Sequence, residues 1–154
     1  MEEPASREEP VPREEPASNE LPVWEPGTPG ILCTHGPHAI PVSTAVRAGD
    51  TRIVLALSRR RESLALLREN PRVAFCVLGK DLAFTAYGSA RVAREALESA
   101  EHVAAIAIEV DRVQDHRDPR TQVLDGARWR HTSDEAEQSS TAIAVELAEL
   151  AEES

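Results

Sequence analysis

Lysine is nearly missing from this chain: Lys80 is the only one, so the other sixteen of its seventeen basic residues are arginines. An anion held by this protein is therefore met mainly by planar guanidinium forks. Aromatic side chains are scarce too, five in 154 residues. That scarcity argues against the stacking platforms of nucleic-acid binders. Only two cysteines occur, Cys33 and Cys76, both inside apolar, strand-like segments. A free cysteine in such a setting behaves as a small hydrophobe, and no structural disulfide is expected. No stretch approaches the ~20 apolar residues of a membrane span, and the N-terminal residues contain no apolar signal segment. A cytoplasmic protein that avoids membranes is expected. A glycine-rich dinucleotide fingerprint, a P-loop and a catalytic triad are lacking as well. An enzyme without such motifs can leave its electron chemistry to a bound cofactor, needing only to orient it and exclude water.

The net charge of −10 is unevenly spread. Residues 1–26 hold eight Glu against two Arg, and residues 134–154 hold seven acids and no base. Between them, residues 27–133 carry fifteen basic and twelve acidic residues, a body charge of +3. The acidity belongs to the tails, and the small basic surplus on the body is too little for nucleic acid. Glu-Glu-Pro recurs at residues 2, 8 and 14. A segment with so little apolar surface cannot offset its ordering entropy, so disorder is expected over residues 1–20. The repeat reads either as a solvating arm or as a partner-binding tail. A globular domain is expected over 21–133, beginning near Leu21 or Trp24, and an acidic helix over 134–154.

What the chain does contain is most informative at SLALLRENPRVAFCV, Ser63 to Val77. Leu64 and Leu67 share a helical stripe, Arg68 and Glu69 face away, and Pro71 lacks the amide for another turn, so a helix ends near Asn70. Val73 to Leu78 is then wholly apolar, which predicts a strand buried on both faces. Upstream, Ile31 to His35 is a short strand broken by Gly36-Pro37, Ala39 to Arg47 a second, and Thr51 to Ser58 a third after a turn at Gly49-Asp50. In the third, Ile53, Leu55 and Leu57 take one face, and Val54 and Ala56 fill the other. Downstream, Gly79-Lys80-Asp81 turns the chain into a fifth strand with period two over Phe84 to Val92. A short polar helix is expected over Arg94 to Glu101, then a sixth strand through Ile106, Ile108 and Val110. Val123-Leu124 and Ala127 to His131 read as a hairpin closed by Asp125-Gly126. Thr132 and Glu135 have capping-box spacing ahead of a helix carrying Ile143, Leu147 and Leu150. The sum is a mainly β fold with helices (α+β): a six-stranded barrel with a helix after its third strand and a C-terminal helix.

Arg59, Arg60 and Arg61 stand together where the first helix should begin. Positive charge there opposes the helix dipole, a conflict that a bound anion would relieve. The alternative is three solvated arginines on a loop. His35 and His38 flank Gly36-Pro37, but no third or fourth ligand is nearby in sequence, and no metal site is expected. His116 and His131 read either as proton carriers or as exposed loop residues. Trp129, between Arg128 and Arg130, either covers a ligand or anchors the terminal hairpin.

Residues 30–113 resemble the pyridoxamine 5′-phosphate oxidase-like superfamily of split β-barrel, FMN-binding proteins. The carriers are GILCTHGPHAIPVSTAV, IVLALSRRRESLALLRENPRVAFCV and AFTAYGSARVA, in that order and spacing. The resemblance implies a homodimer with FMN in clefts shared between subunits. It implies that Val42, Ser43, Thr44 and Val46 lie beside the flavin ring, and that Ser58, Arg59, Arg61 and Ser63 hold the phosphate. The function implied is an oxidoreductase passing hydride between flavin and a small organic substrate. Two alternatives share the fold: a reductase using the deazaflavin coenzyme F-420, and a non-catalytic dimer that binds or senses flavin.

Overall fold

A computed structural model describes residues 18–153 of the chain. Most of the N-terminal tail expected to be disordered therefore lies outside the described residues. Of its last three residues, Ser18 bridges Val113, its carbonyl accepting the Val113 amide at 2.6 Å.

The strands are β1 (Gly30–Thr34), β2 (His38–Val42), β3 (Val46–Arg47), β4 (Arg52–Ser58), β5 (Arg72–Gly79), β6 (Leu82–Arg94) and β7 (Val103–Asp115). Helix α1 (Glu62–Glu69) sits between β4 and β5, and α2 (Asp134–Glu152) closes the described chain. All seven strands form one antiparallel sheet in the order β2-β1-β5-β6-β7-β4-β3. Its two edges, β2 and β3, are consecutive in sequence and joined only by residues 43–45. A flat sheet of this order would separate them by about 29 Å at ~4.8 Å per strand. Four extended steps from Val42 to Val46 reach only about 14 Å. The sheet must curl until its edges approach, which makes it a split barrel.

Seven strands replace the expected six because the second breaks in two. The Thr44 hydroxyl accepts the Ala56 amide at 3.0 Å and donates to the Ala56 carbonyl at 3.4 Å. A side chain thereby takes the place of the backbone in the ladder to β4, and the strand resumes only at Val46.

Inside the curl lie Leu32, Ile53, Leu55, Phe75, Val77, Phe84, Ile106 and Ile108, with Leu64 and Leu67 of α1. Leu21 and Trp24, from the strap before β1, join this core, and the Trp24 indole donates to the Ala45 carbonyl at 3.0 Å. A second cluster packs Val54 of β4 and Ala105 of β7 against Leu147 and Leu150 of α2. The double burial expected for the third strand is thus seen in β4, one face to the barrel and the other to α2. β5 differs from expectation. Val73, Phe75 and Val77 are buried, but Ala74 and Cys76 are half-buried and Leu78 is exposed, because no helix covers that outer face.

Helix α1 ends as expected: Asn70 donates its amide to the Leu66 carbonyl at 2.9 Å, and its side-chain oxygen accepts the Arg72 amide at 3.1 Å. α2 is capped one residue later than the capping-box spacing suggested. Ser133, not Thr132, supplies the oxygen, accepting the Ala136 amide at 3.1 Å. The expected helix over Arg94 to Glu101 is absent; β6 runs to Arg94 and irregular bends follow. There the Glu146 carboxylate of α2 accepts the amides of Glu98 (3.0 Å) and Ser99 (2.8 Å), donors a local helix would have turned inward. Nor do residues 123–131 pair as a hairpin. They lie as an irregular strap, tied by Asp81 donating its amide to the Val123 carbonyl and by the Trp129 indole donating to the Gly27 carbonyl at 2.8 Å. Among the described residues no helix is long and apolar enough to cross a membrane.

Candidate functional site

The site residues inferred from sequence fall in two groups on the fold. One is the break between the sheet edges. Val42 ends β2 with its side chain buried, Ser43 and Thr44 belong to no strand, and Val46 opens β3 half-buried. The backbone groups of Ser43 and Thr44 enter no loop hydrogen bond among the described residues. Interrupting the ladder therefore leaves polar main chain at the rim of the barrel, available to a ligand edge.

The second group is the turn from β4 into α1. Ser58 ends β4, and its carbonyl accepts the Arg61 amide at 2.9 Å while its hydroxyl accepts the Arg60 amide at 3.4 Å. The Arg59 amide is tied to the His102 carbonyl at 2.9 Å. This tight turn presents Arg59, Arg60 and Arg61 to solvent, with Arg61 the N-cap of α1 and no side chain capping the helix. Arg47, Arg52, Arg68, Arg72, Arg91, Arg94, Arg117 and Arg120 all contact carboxylates, whereas Arg59, Arg60 and Arg61, like Arg112, Arg128 and Arg130, have no ion pair among the described residues. Three neighbouring guanidinium groups thus stand at the positive end of a helix with no ion pair among the described residues.

Ser63 is set apart from them. It is fully buried, and its hydroxyl lies 3.0 Å from Nε2 of His38, whose Nδ1 is 3.9 Å from the Glu62 carboxylate. Which of the two donates depends on the imidazole tautomer. His38 is the partner that sequence reasoning missed. It stood out only beside His35, yet the two diverge, His35 lying 3.4 Å from the Asn70 amide nitrogen. Among the described residues no three His, Cys, Asp or Glu side chains gather as a metal site.

Two clefts lie elsewhere, and neither contains residues 42–46 or 58–63. One of about 470 Å³ is bounded by Asp81, Asp115, His116, Asp118 and Thr121, with His116 Nε2 2.7 Å from the Thr85 hydroxyl. Hydrogen bonds from Arg117 and Arg120 hold the Asp115 and Asp118 carboxyls below the usual carboxylate range. The other, about 290 Å³, lies on the outer face of β1 and β5 beside Cys33, Arg72 and Tyr87. Trp129 stays half-exposed at the strap, edge-on to His131 at 4.9 Å.

No family profile matches the sequence, and no curated protein does. Solved structures do match in fold. A candidate pyridoxamine 5′-phosphate oxidase from Listeria innocua aligns at TM-score 0.50 and 14% identity, over 59% of this chain and 90% of that one. HupZ of Group A Streptococcus aligns at TM-score 0.51 and 13% identity, over 66% of this chain and 90% of that one. At such identities the likeness concerns the course of the backbone, and it agrees with the curled antiparallel sheet and inserted α1. In fold, this chain is a split β-barrel like these two structures.

Proposed function

We propose that this chain is an FMN-binding oxidoreductase that works as a homodimer and passes hydride between the flavin and a small organic substrate. One observation carries the reading: Arg59, Arg60 and Arg61 stand consecutively where α1 opens, exposed and with no carboxylate partner among the described residues. A phosphate monoester fits that gap in charge and in geometry, since guanidinium forks and helix-opening amides both favour it. Arg59 and Arg61 would hold the phosphate, with Ser58 fixing the turn that presents them. Ser63 would contribute from behind His38. Free main-chain groups at Ser43 and Thr44 would orient the polar edge of the ring, while Val42 and Val46 keep water from its apolar face.

Bound FMN supplies the hydride chemistry, and the protein contributes binding, orientation and exclusion of water. The break at residues 43–45 lies at the barrel rim, where a single chain can cover only one side of a flat ring. Fluorescence titration tests the cofactor, because free flavin is bright and a bound ring is usually quenched. Saturable quenching by the purified protein, with dimeric mass in light scattering, is the expected result. Unquenched flavin at high protein concentration would remove the reading, and a monomer at all concentrations would remove the shared cleft.

A further inference from the structure

The chain's only two cysteines come to lie side by side. β1 and β5 pair so that Ile31 faces Cys76 and Cys33 faces Ala74, which makes the two thiols diagonal neighbours across one strand boundary. Both are free and half-buried, and both point to the outer face of the sheet, since the inward positions are taken by Leu32, Phe75 and Val77. Diagonal neighbours in an antiparallel pair have Cα atoms about 7–8 Å apart. A disulfide needs roughly 4.4–6.8 Å. The register is thus too wide for a direct sulfur–sulfur bond, yet suits one atom held between two sulfurs by bonds of about 2.3 Å each.

We propose that Cys33 and Cys76 form a two-thiolate site for a soft monovalent metal ion, Cu(I). Thiolate pairs select soft ions, and Cu(I) accepts a two-donor set, whereas zinc asks for four ligands. No third His, Cys, Asp or Glu gathers here among the described residues, so the two-donor ion is the one the site can satisfy. The cleft beside Cys33, lined also by Thr34, Arg72 and Tyr87, gives the ion a path from solvent. Burial pushes the Cys33 thiol up, and the neighbouring Cys76 adds to the effect, in keeping with two sulfurs lying close together. Binding is an exchange in which two S–H bonds break, two S–Cu bonds form, two protons leave and no electron moves. This assignment is independent of flavin binding.

The test titrates the reduced, full-length protein anaerobically against Cu(I) held by bicinchoninate, reading the loss of the coloured chelate. The expected result is one Cu(I) withdrawn per chain and two protons released in weakly buffered solution at neutral pH. Cys33→Ser and Cys76→Ser should each lower Cu(I) affinity by at least about a hundredfold, with the circular dichroism spectrum unchanged. Failure to compete with the chelator, uptake of two ions per chain, or a single variant within about threefold of the parent would overturn the assignment. Stoichiometry and proton release on the unaltered protein decide the matter even if a variant folds poorly.

Discussion

Replacing Glu146 by glutamine isolates one buried carboxylate that ties α2 to the bend after β6. Its two oxygens accept four hydrogen bonds: the Ser99 amide and hydroxyl, both at 2.8 Å, the Glu98 amide at 3.0 Å and the Arg94 guanidinium at 2.9 Å. Burial alone would push this carboxyl up. The donors from Ser99, Glu98 and Arg94 outweigh burial and bring it from 4.5 down to about 2. The folded-state value is depressed, so the stabilisation is complete above the unfolded value and fades as pH falls from near 4.5 through about 2. A gap of that size corresponds to roughly 3 kcal/mol. Because solvent reaches the Arg94 side of the pair, about 2 kcal/mol at neutral pH is the more realistic figure. In Glu146→Gln an amide NH₂ meets either a backbone donor or a guanidinium, so at least one donor loses its acceptor. Urea unfolding at pH 7 should show a loss of about 2 kcal/mol, and the gap between variant and parent should narrow as pH approaches 2.5. A loss below about 0.5 kcal/mol, or one that does not change with pH, would refute the assignment of this carboxylate as the clamp.

Three further outcomes follow from the geometry. A methyl group added at Gly88 would stand 2.2 Å from the Glu109 carbonyl oxygen at the β6–β7 irregularity, so Gly88→Ala should lower stability by at least about 2 kcal/mol. Thermal unfolding checks this, and an unchanged Tm would contradict it. Ser133→Ala removes the α2 cap and should cost about 1 kcal/mol, read by denaturant unfolding with no change in fold. Arg59→Ala with Arg61→Ala should weaken FMN binding at least tenfold while leaving Tm within a degree or so, since both side chains are exposed, neither has an ion pair among the described residues, and each charge-assisted bond contributes about 1.5–3 kcal/mol. Unchanged affinity would show that the phosphate lies elsewhere.

Elements with short-range causes were legible in the sequence. The end of α1 needs only Asn70 and Pro71, and the two-sided burial of β4 is written in its unbroken run Ile53 to Leu57. What was not legible depends on partners far along the chain. Thr44 splits a strand because its hydroxyl meets Ala56, and the segment after Arg94 bends instead of coiling because Glu146 takes its amides. Local propensity favours a helix there, and tertiary hydrogen bonds override it. The strap over 123–131 is set by Asp81 and Gly27, which no turn rule at Asp125-Gly126 anticipates. At the candidate site the arginine run was visible as charge. That it has no carboxylate partner among the described residues was not, because this depends on where acidic side chains fall in space. The His38–Ser63 contact was hidden for the same reason, as it joins β2 to α1 across the curl of the sheet.

The most direct measurement of the central claim is equilibrium dialysis of the purified protein against FMN, with flavin absorbance read on both sides. One FMN per chain, two per dimer, is the predicted result, with binding weakened by competing inorganic phosphate. Equal flavin on both sides at protein concentrations well above those of ordinary flavoprotein binding would contradict the account.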